Sequence, residues 1–115
     1  MKPTELRIGN YVNYIFKTLS IDAPEYKIKN GADIQLHQSN NLYKPIPLTE
    51  QWLKDFGFIK NFVENDEGRY DDYEFNEFHI HGLGDDIFIF LTRRIKYVHR
   101  LQNLYFALTG EELIK

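Results

Sequence analysis

The sequence predicts an α+β fold built mainly from antiparallel strands, and three observations predict it. Aromatic rings are dense, with eight Tyr, nine Phe and one Trp against a single Met in 115 residues, and a small core filled by few large rings favours pleated strands over long helices. Apolar runs are short, alternate with polar residues and stop at Gly, Pro, Asn or Asp, as strands joined by tight turns do. Helical spacing is confined to residues 49–57 and 99–110. The expectation is one domain over residues 1–115: a small barrel-like N-terminal β part (1–46), a short central helix (49–57), a second β meander (58–98) and a C-terminal helix (99–110) packed on the sheet.

The elements follow in order. Leu6-Arg7-Ile8 reads as a first short strand before the Gly9-Asn10 turn, and Tyr11 to Phe16 as a strand covered on both faces. Leu19 and Ile21 alternate with polar residues until Asp22-Ala23-Pro24 ends the run. Tyr26 and Ile28 then face Ile34 and Leu36 across a hairpin, with Asn30-Gly31-Ala32 as its loop, because that register keeps all four on one face. His37 to Asn41 reads as polar loop, and Leu42-Tyr43-Lys44 as a strand ended by Pro45. Thr49 can cap a helix whose Trp52, Leu53 and Phe56 share a face and whose end is Gly57.

In the second half Phe58 to Val63 reads as a strand and Glu64 to Arg69 as a polar turn. Tyr70 to His81 reads as one strand with a phase change, reconciled by a bulge near Asn76-Glu77. Gly82 to Asp85 is a turn, Ile87 to Leu91 the central strand, and Ile95 to Val98 a further short strand. Leu101, Leu104, Tyr105 and Leu108 form the apolar face of the last helix, and Gly110 closes it.

Composition excludes several function classes. Without cysteine there is no disulfide scaffold, cysteine nucleophile or thiolate metal site. No apolar run approaches the roughly 20 residues of a membrane span, and the first residues lack the apolar stretch of a signal peptide, so a cytoplasmic protein is expected. The net charge of −3 exerts no general pull on nucleic acid. Its distribution is uneven: residues 64–86 hold nine acids and only Arg69 as a base, whereas residues 87–115 hold five bases and two acids.

Three segments carry a resemblance: Glu5-Leu6-Arg7-Ile8-Gly9-Asn10-Tyr11-Val12, then Pro45-Ile46-Pro47-Leu48-Thr49-Glu50-Gln51-Trp52-Leu53 with Phe56-Gly57-Phe58, and the run from Lys96 to Leu113. In that order and spacing the chain resembles a family of small uncharacterised proteins of Bacteroides-type bacteria and their phages or mobile elements. The resemblance covers nearly the whole chain and departs at Arg100, where the pattern has Gln. It implies an origin and a context, and it transfers no functional residue.

Four chemistries have candidate residues. His79 and His81 stand at i and i+2, on one face of a strand, where both can ligate one ion with a carboxylate such as Asp85 or Asp86. The plainer reading, a solvent-facing strand beside a turn, is preferred because no complete ligand set is visible, so no metal or cofactor is expected. Asp71-Asp72 and Asp85-Asp86 are sequence neighbours whose side chains diverge in extended chain, there is no Gly-x-Ser-x-Gly elbow around the only serines, Ser20 and Ser39, and no phosphate loop. Enzymatic activity is not expected. Arg93, Arg94, Lys96 and Arg100, with His99 and Tyr97 among them, can hold phosphates and stack a base, while Gln102 or Asn103 can read base edges. Tyr11, Tyr14, Tyr43, Tyr70 and Tyr73 are candidate exposed rings for a protein partner, and a strip of Gln102, Asn103 and Phe106 is a candidate dimerisation surface. The leading expectation is a non-enzymatic accessory protein that binds a protein partner. The alternative is nucleic-acid binding through the basic segment Arg93–Arg100.

Overall fold

A computed structural model describes residues 2–16, 21–40, 43–66, 68–84 and 86–115. After a 3-10 turn at Pro3–Glu5 the elements are β1 (Tyr11–Phe16), β2 (Ile21–Lys27), α1 (Gly31–Asn40), β3 (Tyr43–Lys44), α2 (Glu50–Phe56), β4 (Ile59–Asn65), β5 (Gly68–Phe75), β6 (Phe78–Gly82), β7 (Phe88–Phe90), β8 (Arg93–Ile95) and α3 (Val98–Thr109). They form two antiparallel sheets, ordered β2-β1-β3 and β4-β5-β6-β7-β8, so the fold is α+β and mainly antiparallel. The chain divides into two compact units, residues Met1–Pro47 with Tyr97–Glu112, and residues Leu48–Lys96 with Leu113–Lys115.

In the first unit β1 is the middle strand, and Tyr11 and Val12, on its opposite faces, are both buried. Pro24 does not end the neighbouring run. The pairing shifts between Asn13↔Glu25 and Ile15↔Asp22, which leaves one extra residue of β2 there, and a bulge on an edge strand tolerates a residue with no N–H to donate. Leu19 and Leu42 lie outside the described residues. Leu6-Arg7-Ile8 is not a strand. The Asn10 side chain accepts from the Arg7 amide at 2.6 Å and the Asn10 amide donates to Arg7 O at 3.1 Å, closing a turn around Gly9, whose φ of 98° favours glycine.

The first arm expected at Tyr26 is the end of β2, but the expected turn, the second arm through Leu36 and the loop from His37 are replaced by α1. Asn30 accepts from the Asp33 amide at 3.1 Å, and the Asp33 carboxylate reaches back to the Lys29 amide at 2.8 Å. This reciprocal pair is a close relative of the capping box, and it makes Asn30-Gly31 the start of a helix rather than a turn between strands. Leu6, Val12, Ile28 and Tyr43 form the core beneath, with Tyr14, Tyr26 and Ile34 against it. Tyr26 and Tyr43 stack at 5.8 Å. His37 is buried and its Nδ1 accepts from the Tyr43 amide at 3.1 Å. In α3 the buried residues are Val98, His99, Leu101, Gln102 and Tyr105. Leu108, expected on that face, is exposed, because it lies in the last turn beside the Gly110 cap.

In the second unit α2 is capped as its residues predict: the Thr49 side chain accepts from the Trp52 amide, and Gly57 takes a left-handed φ of 101°. Leu53 and Phe56 are buried, and Trp52 leans on Phe56 at 5.6 Å. Residues Tyr70 to His81 are not one bulged strand. Asn76 and Glu77 both have positive φ, 47° and 67°, and they connect β5 to β6 so that Phe75 pairs with Phe78 and Tyr73 with Ile80. A two-residue turn with both φ positive is the tight hairpin turn, and it puts Tyr73, Phe75, Phe78 and Ile80 on one face. The apolar phase change is therefore the mark of a hairpin. Likewise Glu64 to Arg69 is largely strand, with Asn65 paired to Gly68. The middle strand of the five is β6, not the segment at 87–91, of which only Phe88–Phe90 is strand. The expected strand at Ile95–Val98 is shifted to Arg93–Ile95, and Val98 already opens α3.

Candidate functional site

The five-stranded sheet has a buried face and an open one. Tyr73, Phe78, Ile80, Gly82, Phe88 and Ile95 are buried, and alternation along each strand sends their neighbours to the other side. On the open face Asp72 of β5 pairs with His81 of β6, and Glu74 with His79. His79 Nδ1 lies 2.9 Å from Asp72 Oδ2, and His81 Nε2 lies 3.9 Å from Asp72 Oδ1. The hydrogen bond to Asp72 raises the pKa of His79 above the usual histidine value. Tyr70 packs on the His81 ring at 4.4 Å. Asp72, Glu74 and His79 present ligand-type atoms that all lie within 4.8 Å of one another. The two histidines thus share a face, as their spacing predicts, but their carboxylates come from β5. Asp86 instead lies 3.4 Å from the Glu50 amide, and Asp85 is outside the described residues.

On the other side of the same strands Glu50 accepts from Tyr73 Oη at 3.0 Å and pairs with Lys60 Nζ at 2.7 Å. These contacts hold the Glu50 carboxyl below its ordinary pKa, with the Lys60 bond the largest cause, while burial raises the Tyr73 phenol. They line a cleft of about 210 Å³, below the roughly 300 Å³ at which small-molecule pockets begin. Within it Lys60 is shared between Glu50 at 2.7 Å and Asp71 at 3.8 Å.

The basic residues are divided between the two units, with Arg93, Arg94 and Lys96 in the second and Arg100 in the first. Arg93 and Arg94 are consecutive in β8, so they point to opposite faces. Both are exposed, as is Lys96. Arg100 lies in the first unit and is ion-paired with Glu5. Gln102 and Asn103 are not free to read bases. Gln102 accepts from the Tyr11 amide at 2.8 Å and donates to Gly9 O at 2.9 Å, and Asn103 donates to Glu5 O at 2.7 Å. These carboxamides tie α3 to the backbone of Glu5, Gly9 and Tyr11. Phe106 is partly exposed but carries the Arg7 guanidinium 4.0 Å above its ring. Of the expected exposed rings, Tyr11, Tyr43 and Tyr73 are buried and Tyr14 and Tyr70 half-buried. Burial pushes the Tyr43 phenol to about 12.

His99 is buried, and neither ring nitrogen has a hydrogen bond; Glu5 Oε1 lies 3.8 Å from its Nε2. Burial is the largest influence and lowers its pKa, with Glu5 opposing and Arg100 assisting. A histidine kept neutral by the fold binds its proton more readily when unfolded, so stability falls as pH drops through about 6.5. Glu5 itself is held below its ordinary value, chiefly by the Lys2 amide, and loses its share only at lower pH. Chemical denaturation between pH 8 and 5 should show this slope for the wild type and a flatter one for His99→Phe. An equal slope in both would assign it elsewhere.

No described helix is long and apolar enough to cross a membrane. Set against family models, curated proteins and solved structures, the chain matches none of them.

Proposed function

We propose that this is a non-enzymatic binding protein that takes an extended segment of a protein partner as an added strand along β4. The observation that carries this reading is the character of that edge. β4 is the outermost strand of its sheet, seven residues long, and Ile59 and Phe62 on it are 65% and 63% exposed. Proteins ordinarily guard such an edge with charges or a proline. Here the two guarding charges are occupied, Lys60 by Glu50 at 2.7 Å and Glu64 by Arg69 at 3.1 Å. Strand addition supplies affinity through the backbone and selectivity through alternate side chains. The resemblance of the three segments supports a role as an accessory protein of a phage or mobile element. Nucleic-acid binding is the weaker reading, since Arg93 and Arg94 diverge and Arg100 is engaged by Glu5.

The pairing of Asn65 with Gly68 through a two-residue connection makes that pair hydrogen-bonded, so the amides of Lys60, Phe62 and Glu64 point away from β5. Phe62→Pro removes an outward amide at a position where proline is tolerated, and Phe62→Ala removes the ring alone. Peptides selected on the wild-type protein from a random library should have alternating apolar residues, tolerate Phe62→Ala with reduced affinity and fail to bind Phe62→Pro. Selected peptides that bind Phe62→Pro as well as wild type would overturn the reading. So would a concentration-dependent dimer abolished by Phe62→Pro, which would give the edge to a second copy of the chain. Salt-sensitive oligonucleotide binding lost in Arg93→Ala/Arg94→Ala would favour the alternative.

A further inference from the structure

We propose that the open face of β5 and β6 is a binding site for a divalent transition-metal ion, zinc first, with Asp72, Glu74, His79 and His81 as its ligands. Cross-strand pairing places two carboxylates at i and i+2 of β5 directly opposite two imidazoles at i and i+2 of β6. Four side chains thus rise from the corners of one patch of sheet. Two ligand atoms on a tetrahedral zinc, each about 2.0–2.2 Å from the metal, stand about 3.3–3.6 Å apart. The Asp72 oxygens lie 2.9 Å from His79 Nδ1 and 3.9 Å from His81 Nε2, on either side of that separation. Glu74 falls within the same 4.8 Å group as Asp72 and His79. Metal entry displaces the proton between His79 and Asp72 and draws His81 and Glu74 inward.

The donor set selects the ion. Two imidazoles favour zinc, nickel or copper over magnesium or calcium, which prefer all-oxygen sites. The chain has four histidines and no cysteine, and the other two histidines, His37 and His99, are buried. Imidazole coordination from solution is therefore confined to this pair. The two ligand strands lie next to each other in the sheet and belong to one unit. The ring contact with Tyr70 and the bond to Asp72 already orient the two histidines.

Isothermal titration of the full chain with zinc chloride at pH 7.5 tests the site, with magnesium chloride as the comparison. The expected result is saturation at one equivalent of zinc, no heat with magnesium, and affinity at least about tenfold lower in His79→Gln and in Asp72→Asn, as loss of a ligand demands. Lowering the pH to 5.5 should weaken binding as protons compete for the imidazoles. Amide spectra of the zinc-free variants check folding, and in the wild type the zinc-shifted amides should cluster at residues 70–82. The proposal is overturned if wild type shows no saturable zinc binding. It is equally overturned if folded His79→Gln binds as tightly as wild type, or if magnesium binds as well as zinc, for then the carboxylates alone would be attracting cations.

Discussion

Gln102→Leu should destabilise the first unit by about 2–4 kcal/mol, because the substitution strips a buried backbone amide and a partly buried carbonyl of their partner at once. The Gln102 carboxamide is fully buried. It accepts from the Tyr11 amide at 2.8 Å and donates to Gly9 O at 2.9 Å, and Asn10 Nδ2 reaches it at 3.5 Å. Leucine matches its bulk and raises the hydrophobicity of the helix, so an account based on apolar burial alone expects neutrality or a gain. The cost arises elsewhere: each buried donor or acceptor left unpaired carries about 1–3 kcal/mol of desolvation with nothing in return. The expected signature is local as well as global. Tyr11 amide exchange should lose its protection, and the chemical-denaturation midpoint of this unit should fall. An unchanged midpoint with an unprotected Tyr11 amide would mean that solvent reaches that amide and replaces the bond.

Ile80→Ala should cost the second unit about 2–5 kcal/mol, the range for removing a large aliphatic side chain from a filled core. Ile80 is fully buried in β6, the middle strand, and pairs with the buried Tyr73. That cost is a large share of the roughly 5–15 kcal/mol by which a whole domain is stable. The chain has one tryptophan, Trp52, and it lies in this unit, so its fluorescence follows the loss directly. Ile80→Val should cost only about 0.5–1.5 kcal/mol. Equal effects of the two variants would show that the strand is not packed to the density its burial indicates.

Local signals in the sequence were sufficient where a single turn of chain decides the structure. Thr49 and Gly57 bracket α2, and Gly110 ends α3 with a left-handed φ of 76°, because caps depend on one or two side chains and one backbone angle. The apolar run Tyr11–Phe16 marks a strand, β1, but the same doubly apolar pattern at 87–91 does not mark the middle of its sheet, which is β6. The same kind of reading failed at Asn30-Gly31, where the pair suits a hairpin turn and a helix start equally well. What separated them was Asp33, three residues on, bonding back to the Lys29 amide. That signal stands in the sequence beside the alternation of Tyr26, Ile28, Ile34 and Leu36, which favours a hairpin. The switch of apolar phase across Asn76-Glu77 was also visible, and asparagine's tolerance of positive φ pointed to a turn rather than a bulge.

The sequence by itself determined the fold class, the strand-rich course of the chain and the shared face of His79 and His81, since each follows from the period of side chains along a strand or helix. Tertiary structure decided what those residues meet. Asp72 reaches His79 and His81 only because the β5–β6 register sets them opposite one another, and register is a property of two strands together. Gln102 and Asn103 turn to the backbone of residues 5–11 rather than to solvent, more than 90 positions away along the chain. Whether a polar side chain serves the core or a ligand is settled by which distant backbone groups need a partner, and burial makes leaving them unpaired too costly to tolerate.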